Sequence, residues 1–270
     1  MKLLDGKELA GFITERQARQ VRALRQARKV FPKLAIIVTT DDPVIDAYVR
    51  LKQRYGQDIL IDTDVRRVDQ SQALGLVQEL NADASVHGII VQLPLSDPSQ
   101  TDEIVNAIAP EKDVDGLSDE AVYESATAEA IDWLLAGYNV NLTGREIAIV
   151  GLGRLVGAPL LKRWEAMGLN VTGYDDQETD LANKLKTADV IVTATGVPGL
   201  IKSSMLAPGV VIVDAGTASE NGQIVGDVSS EVHERHDITI TPIKGGVGPL
   251  TIAALFDHVI LAAQATAGEN

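Results

Sequence analysis

The sequence predicts an α/β protein with two α/β lobes, the C-terminal one a Rossmann-type, doubly wound parallel sheet. Short apolar runs alternate with segments of helical spacing along most of the chain. One of these runs, residues 147–150, leads directly into a glycine-rich turn. The next run ends in two acids. Strands and helices in this alternation are typical of parallel sheets with helices on both faces.

The glycine-rich turn separates the apolar run from a helical stripe that starts at Leu160. Its glycines are Gly151, Gly153 and Gly157. Such a turn lets backbone approach a pyrophosphate, and the following helix offers free N–H groups at its N-terminus. The third glycine falls one residue later than in the usual G-x-G-x-x-G pattern. The glycines alone therefore fit a plain strand-to-helix turn about equally well.

Two acids follow the next predicted strand, which covers residues 169–174. Asp175 and Asp176 lie about 24 residues beyond Gly151. An acid at this point can accept hydrogen bonds from an adenosine ribose and repels a 2′-phosphate. Further strands are predicted at residues 190–195, 210–214 and 238–240. The interpretation is a dinucleotide-binding domain over residues 122–250.

The first half of the chain also alternates strands and helices, but it has no glycine-rich phosphate turn. Helices are predicted at residues 7–28, 45–55, 70–80 and 102–109, and strands at 33–39, 58–62 and 86–93. Tyr48 and Lys52 stand four residues apart on the second helix, so they share a face. Residues 1–121 are expected to form a separate lobe that supplies substrate contacts.

Composition excludes several classes of function. The 270 residues contain no cysteine, which excludes disulfides, thiolate metal sites and a cysteine nucleophile. A net charge of −14 argues against nucleic acid as a partner. No apolar run approaches a bilayer span and the N-terminus lacks a signal-peptide core, so we expect a cytoplasmic protein with no membrane partner. His233 and His236 lie near acids, but their spacing fits no zinc signature and no metal is expected.

Several segments occur in the order and spacing of one family. They are AYVRLK, GIIVQLPL, PEKDVDGL, GLGRLVGAP, ATGVPGLI, IVGDVSSE and GGVGPLTIA. Over nearly its whole length the chain resembles the bifunctional methylenetetrahydrofolate dehydrogenase/methenyltetrahydrofolate cyclohydrolases. The resemblance implies oxidation of 5,10-methylenetetrahydrofolate with NAD or NADP, then hydrolysis to 10-formyltetrahydrofolate. It also implies a homodimer, a substrate cleft between the lobes, and a final helix, residues 251–270, that packs back on the first lobe.

The resemblance also implies roles for individual residues. Lys52 matches the family's key lysine, Tyr48 its partner tyrosine, Gln92 the glutamine that holds the lysine, and Asp115 the acid that binds the pterin. The implied substrate-binding residues are Tyr48, Lys52, Val91, Gln92, Leu93, Asp115, Gly245, Gly246, Val247, Gly248 and Pro249. The implied cofactor-binding residues are Gly151, Leu152, Gly153, Arg154, Gly157, Asp175, Asp176, Thr195, Gly196 and Thr217.

Without the resemblance these residues have plainer interpretations. Tyr48 and Lys52 would be an ordinary pair on a helix surface. Gln92 would simply end a strand, Asp115 would cap a turn, and residues 245–249 would be a plain loop before a helix.

The cofactor turn departs from the family pattern. Leu152 and Gly153 replace an arginine and a serine, and Asp175 or Asp176 replaces a serine after the second strand. A carboxylate beside a phosphate would cost several kcal/mol, which predicts NAD rather than NADP. Arg154 follows closely and could still reach a phosphate, so NADP stays open.

The segments expected to bind folate also depart from the family pattern. Ile45 replaces a serine, Lys244 replaces a proline, and only Thr127 remains of a proline-cysteine-threonine-proline segment. Three alternatives therefore stay open beside the bifunctional enzyme. They are a dehydrogenase with a weakened cyclohydrolase, a non-catalytic folate- or nucleotide-binding relative, and a different Rossmann dehydrogenase.

Overall fold

A computed structural model of the chain describes residues 2–220 and 223–268. The helices are α1 (Gly6–Ala23), α2 (Pro43–Ile59), α3 (Gln70–Ala82), α4 (Thr101–Asn106), α5 (Ala126–Gly137), α6 (Gly157–Ala166), α7 (Leu181–Leu185) and α8 (Val247–Gly268). The strands are β1 (Lys2–Leu3), β2 (Lys33–Val38), β3 (Asp62–Arg67), β4 (Gly88–Val91), β5 (Ile147–Val150), β6 (Val171–Tyr174), β7 (Val190–Thr193), β8 (Val211–Asp214), β9 (Ala218–Glu220), β10 (Gln223–Val225) and β11 (Thr239–Ile240).

The chain divides into two compact units. One contains the first ten residues and Thr127–Thr251. Its six-stranded sheet has the order β1-β11-β8-β7-β5-β6, and every pair in it is parallel. Strands β5 and β7 are buried along their whole length, as their unbroken apolar sequences require. This confirms the predicted parallel, doubly wound sheet.

Strand β5 is the point where the strand order of this sheet reverses. The chain adds β6 on one side of β5 and β7 on the other. In open α/β sheets, ligands bind beyond the carboxyl ends of the strands at such a point. The residues that follow β5, β6 and β7 are therefore the ones positioned to meet a dinucleotide.

The other unit contains Gly11–Ala126 and the residues from Ile252 onward. Its sheet has the order β3-β2-β4 and is also parallel. A parallel bridge between Ile89 and Asp113 places the segment after α4 beside β4. The strand order reverses at β2, so the carboxyl ends of β2 and β4 form the equivalent ligand-binding edge of this sheet.

Helix α8 is long and apolar enough, by length and composition, to cross a membrane. The prediction that no apolar segment approaches the length of a bilayer span is therefore wrong for α8. In the protein, 56% of its most apolar window is buried. Phe256 is fully buried, with its ring centroid 5.2 Å from that of Tyr55. Helix α8 is therefore packed as a core helix of a globular protein is.

One predicted strand is wrong. Residues 58 and 59 belong to the end of α2, which is capped by Leu60 in a left-handed conformation. The strand begins only at Asp62 and continues to Arg67. It lies at the edge of its sheet and reads DTDVRR, so it lacks the apolar run that marks a buried strand. Strand β1 and the antiparallel pair β9–β10 were not predicted either.

Candidate functional site

Lys52 and Gln92 are brought together by α2 and β4. Helix α2 starts at Pro43, and Asp42 caps it by accepting hydrogen bonds from two backbone N–H groups of the first turn. Lys52 Nζ donates a hydrogen bond of 2.7 Å to Oε1 of Gln92, the first residue after β4. The Gln92 amide nitrogen donates to the carbonyl oxygen of Leu93 across 3.2 Å, which fixes the amide's orientation. The predicted lysine–glutamine contact is present.

The pKa values of two groups here are shifted by burial. Burial lowers the pKa of the Lys52 amine, and the charge of Asp115 partly opposes that shift. Burial raises the pKa of the Asp115 carboxyl, and the charge of Lys52 opposes it in turn. The two side chains are thus near enough to influence each other's protonation. A half-buried lysine whose pKa is lowered in this way is a candidate acid–base group at neutral pH.

Asp115 is positioned by a turn that its neighbour Asp113 organises. The Asp113 carboxylate accepts backbone hydrogen bonds of 2.8–3.1 Å from residues 116, 117 and 118. Gly116 has φ +67°, and a Cβ there would overlap the carbonyl of Glu124. Lys112 Nζ donates to three carbonyl oxygens at the end of α3. The KDVDG segment is therefore fixed on both sides of Asp115.

His258, a buried residue of α8, contacts two residues near Asp115. Its Nδ1 donates to the carbonyl oxygen of Val114 across 2.8 Å, and its ring stacks on Tyr123 with centroids 4.9 Å apart. Burial raises the pKa of Asp115, and the charge of His258 opposes that rise less than the charge of Lys52 does. Through its hydrogen bond to Val114, this histidine helps to hold the turn that contains Asp115. No local sequence pattern indicates that role, because the two residues are 143 positions apart.

Tyr48 is half-buried on α2, and Val91 is the buried last residue of β4. The glycine loop predicted to bind folate lies in the other unit, directly before and within the start of α8. Gly245 has φ +88°, and its carbonyl oxygen accepts a hydrogen bond of 3.0 Å from the Lys7 backbone. A Cβ on Gly6 would overlap the carbonyl of Gly246, so the loop packs closely on the start of α1.

The glycines of the cofactor turn are closely packed against backbone. Gly151 has φ +90° and donates its backbone N–H to the carbonyl of Tyr174 across 2.8 Å. A Cβ on Gly157 would overlap the carbonyl of Gly151. Helix α6 begins at this glycine, so its N-terminus faces the turn. Ala158 and Leu160 already donate their N–H groups to the carbonyls of Gly153 and Val156, and residue 159 is a proline without an N–H. At the start of α6 it is therefore the N–H of Gly157 that can meet a pyrophosphate.

Leu152 and the two acids lie around β6 and its carboxyl end. A Cβ on Gly173 of β6 would lie 2.8 Å from Cδ2 of Leu152, so the leucine side chain covers that strand. Asp175 and Asp176 are both exposed directly after β6. Each carboxylate accepts a hydrogen bond of 3.0 Å from Gln177, one from its backbone and one from its amide. Gly153 and Arg154 are exposed in the same turn as Leu152.

The remaining predicted cofactor residues follow β7 and β8. Gly196 has φ +69°, and a Cβ there would lie 3.6 Å from the carbonyl oxygen of Thr217. The backbone N–H of Thr195 donates to Oδ2 of Asp227 across 2.6 Å. Asp227 was not among the predicted site residues. Its signal in the sequence is an acid inside the otherwise apolar and small segment IVGDV.

Within the described residues no group of three or more His, Asp or Glu side chains could hold a metal ion. Glu231, one of the acids near the two histidines, accepts a hydrogen bond of 2.9 Å from the Ser203 backbone. Burial lowers the pKa of the His233 ring. The expectation of no metal stays a prediction.

The chain is similar throughout its length to one family. The catalytic domain of tetrahydrofolate dehydrogenase/cyclohydrolase matches residues 4–115, and the NAD(P)-binding domain of the same family matches residues 125–267. A bifunctional protein FolD from Exiguobacterium sibiricum is 36% identical over 275 residues, which cover 97% of this chain and 99% of that protein.

Solved structures give the same result. The bifunctional methylenetetrahydrofolate dehydrogenase/cyclohydrolase FolD of Campylobacter jejuni superposes with a TM-score of 0.92 and 33% identity, covering 98% of this chain and 99% of that one. FolD of Trypanosoma brucei, solved with NADP cofactor and an inhibitor, gives a TM-score of 0.91 and 26% identity, covering 98% of this chain and 97% of that one.

Proposed function

This chain belongs to the tetrahydrofolate dehydrogenase/cyclohydrolase family and is a bifunctional enzyme. We propose which of its residues serve each of the two reactions. The enzyme oxidises 5,10-methylenetetrahydrofolate to 5,10-methenyltetrahydrofolate with a nicotinamide cofactor, and it hydrolyses that product to 10-formyltetrahydrofolate. The unit with Lys52 handles the folate, and the unit with Gly151 handles the dinucleotide. The hydrogen bond between Lys52 and Gln92 is the observation that carries the assignment of the folate site.

Hydrolysis needs a water oxygen to bond to the methenyl carbon, and that water must lose a proton. Burial lowers the pKa of Lys52, which increases the neutral fraction of its amine near pH 7. The neutral amine accepts the proton of the attacking water. It can return a proton to the nitrogen that departs when one carbon–nitrogen bond breaks. Gln92 holds Nζ in one place for both transfers.

Asp115 and Tyr48 bind and orient the folate. A carboxylate accepts two parallel hydrogen bonds from adjacent N–H donors, which suits the amino and ring nitrogens of a pterin. Asp115 is fixed for this by the turn around Asp113. Tyr48 shares a helix face with Lys52 and can place its ring against the folate. Gly245–Pro249 lacks large side chains at three of its five positions, which allows close approach.

The dinucleotide is held by the turn after β5. A bound nicotinamide would supply the acceptor for the hydride of the methylene carbon. Gly151, Gly153 and Gly157 let the backbone approach the pyrophosphate, and the N–H of Gly157 at the start of α6 can donate to it. Thr195, Gly196 and Thr217 contribute from the ends of the neighbouring strands.

NAD is the proposed cofactor rather than NADP. Asp175 and Asp176 are exposed at the end of β6, where a 2′-phosphate would meet two carboxylates. Leu152 lies over Gly173 and offers no hydrogen-bond donor to a phosphate. The first test is the initial rate on 5,10-methylenetetrahydrofolate with NAD and with NADP. A higher kcat/KM with NAD supports the proposal, and a preference for NADP would assign the phosphate to Arg154 or another group.

The lysine assignment is tested with Lys52→Met, which keeps the length of the side chain without the amine. We expect loss of cyclohydrolase activity, measured as the disappearance of methenyltetrahydrofolate absorbance in the near ultraviolet. A variant that keeps the full hydrolysis rate would rule out Lys52. Accumulation of the methenyl compound by the unaltered enzyme would indicate a weakened cyclohydrolase.

We also propose that the chain acts as a homodimer in the cytoplasm, without nucleic acid or membrane. The net charge of −14 opposes binding to phosphate backbones. More than half of the apolar window of α8, 56%, is buried inside the protein, as expected for a core helix. Sedimentation at several concentrations tests the dimer.

A further inference from the structure

Asp227 lies beneath the turn that follows β7. Its side chain is completely buried. One oxygen, Oδ2, accepts two hydrogen bonds of 2.6 Å, from the Thr193 hydroxyl and from the backbone N–H of Thr195. Thr193 is the last residue of β7 and Thr195 begins the turn. The carboxylate therefore fixes the exit of the chain from β7.

A second acid, Asp214, fixes the backbone around Asp227. Asp214, the last residue of β8, accepts hydrogen bonds from the backbone N–H groups of Asp227 and Val228 across 3.1 and 3.0 Å. It also accepts one of 3.0 Å from Gly216. The two acids link the ends of β7 and β8 to the segment around residue 227. This linkage lies at the carboxyl edge of the sheet, where a dinucleotide is expected.

The packing around the pair leaves no room for larger residues. A Cβ on Gly216 would overlap the Asp227 carboxylate, and a Cβ on Gly226 would overlap that of Asp214. Among the residues that the structure describes, the other Asp227 oxygen, Oδ1, is buried without a hydrogen-bond partner. An unpartnered buried oxygen is unfavourable for stability, so the contribution of Asp227 lies in the two hydrogen bonds that its other oxygen accepts.

We propose that Asp227 is a positioning residue of the dehydrogenase, which sets the Thr195–Gly196 turn for the nicotinamide cofactor through its bonds to Thr193 and Thr195. The inference rests on the proposed function, because it takes this turn as part of the cofactor site. Asp227 is not required for hydrolysis, which uses no nicotinamide. The two activities of one enzyme therefore separate this role from a general structural one.

The experiment measures both activities in Asp227→Ala and in a smaller change, Thr193→Val, which removes one hydrogen-bond donor and keeps the side-chain shape. We expect the KM for the nicotinamide cofactor to rise about tenfold or more in the first variant and about threefold in the second. The rate of hydrolysis of added methenyltetrahydrofolate should change less than twofold. Thr193→Ser should restore the wild-type KM, since it restores the hydroxyl.

Thr187→Val is the matched control, because Thr187 is exposed and its hydroxyl bonds only the nearby carbonyl of Lys184. It should leave both activities unchanged. Equal losses of both activities in the Thr193 variant, or an unchanged cofactor KM, would overturn the proposal. If Asp227→Ala does not fold, Thr193→Val and Thr193→Ser decide the question alone.

Gly196→Ala distinguishes a wrong positioning role for Asp227 from a wrong assignment of the cofactor site. A side chain there is strained at φ +69° and projects toward the Thr217 carbonyl. If Gly196→Ala binds the cofactor as the wild type does, in calorimetry, then the turn is not part of the cofactor site. If it binds the cofactor more weakly and the Thr193 variant does not, only the positioning role of Asp227 is wrong.

Discussion

Lys52 Nζ lies 2.7 Å from Oε1 of Gln92, although the two residues are 40 positions apart and come from a helix and a strand end. The bond restrains a long, flexible side chain at the ligand-binding edge of the smaller sheet. It also gives one donor of the buried amine a fixed partner. The contact makes the cyclohydrolase assignment testable without changing the lysine itself.

Gln92→Ala should lower cyclohydrolase kcat about tenfold, because Nζ loses the acceptor that holds it in place. Hydrolysis of methenyltetrahydrofolate, followed by absorbance across a range of pH, measures both the rate and the apparent pKa. Gln57→Ala is the control, since Gln57 is exposed on the same helix. A rate equal to that of the wild type would show that the hydrogen bond has no part in the reaction.

Replacing both Asp175 and Asp176 by serine should raise kcat/KM with NADP about tenfold relative to NAD. The change removes two carboxylates that a 2′-phosphate would otherwise face. Initial rates with each cofactor at low ionic strength give the ratio, because salt screens exposed charges. Glu165→Ser, at an exposed acid on α6, shows the effect of removing one surface charge elsewhere. The same ratio in the double variant and the wild type would contradict the role given to these acids.

Gly157→Ala should lower the free energy of unfolding by several kcal/mol and weaken cofactor binding, because the new Cβ overlaps the carbonyl of Gly151. Gly75→Ala on α3 makes the matched change where no other atom lies within 4 Å. That variant should be more stable by about 1 kcal/mol, because alanine favours a helix. Urea unfolding of both variants measures the difference. Similar effects of the two substitutions would refute the close strand–helix packing.

The free energy of unfolding should fall as the pH rises from about 4 to 6. Burial raises the pKa of Asp214 to about 6, from 3.8 for an ordinary aspartate, and the charge of Asp227 adds to the rise. In that window the unfolded chain releases the proton while the folded protein retains it. The unfolded state therefore binds fewer protons, and stability decreases with pH by on the order of 3 kcal/mol in total.

Urea unfolding at each pH, for the wild type and Asp214→Asn, measures this slope. The variant should be less stable throughout, because its amide nitrogen would face a backbone N–H, but its slope over the window should be flatter. Asp58→Asn, an exposed acid on α2, controls for the lost charge. Parallel curves for Asp214→Asn and the wild type would show that Asp214 does not titrate in this range.

The parts of the fold that follow from local pattern were predicted well. Strand β5 has the predicted bounds because its four apolar residues are buried in the sheet interior. Strand β3 was misplaced because an edge strand can be polar and shows no such run. Local periodicity marks burial, so it finds interior strands and misses edges.

The residues of the candidate site also fall into a group that the sequence predicted and a group that it did not. Lys52, Gln92 and Asp115 were found through family motifs, and the structure places the first two in contact and the third within electrostatic range. The residues that hold these groups or the cofactor turn in place, His258 and Asp227, were not predicted. His258 reaches Val114 from 144 positions away, and Asp227 reaches Thr193 from 34. Neither contact leaves a periodic signal, because tertiary packing alone creates it.

Helix α8 gives the folate-handling unit a particular order of assembly during translation. Its residues Phe256, His258 and Val259 pack against Tyr55, Val114 and Gly88, which are made more than 140 residues earlier. Until the ribosome has passed this helix, the apolar surface around Gly88 lacks its cover. The nascent unit therefore stays incomplete, with this apolar surface uncovered, while the strands of the other unit are synthesised.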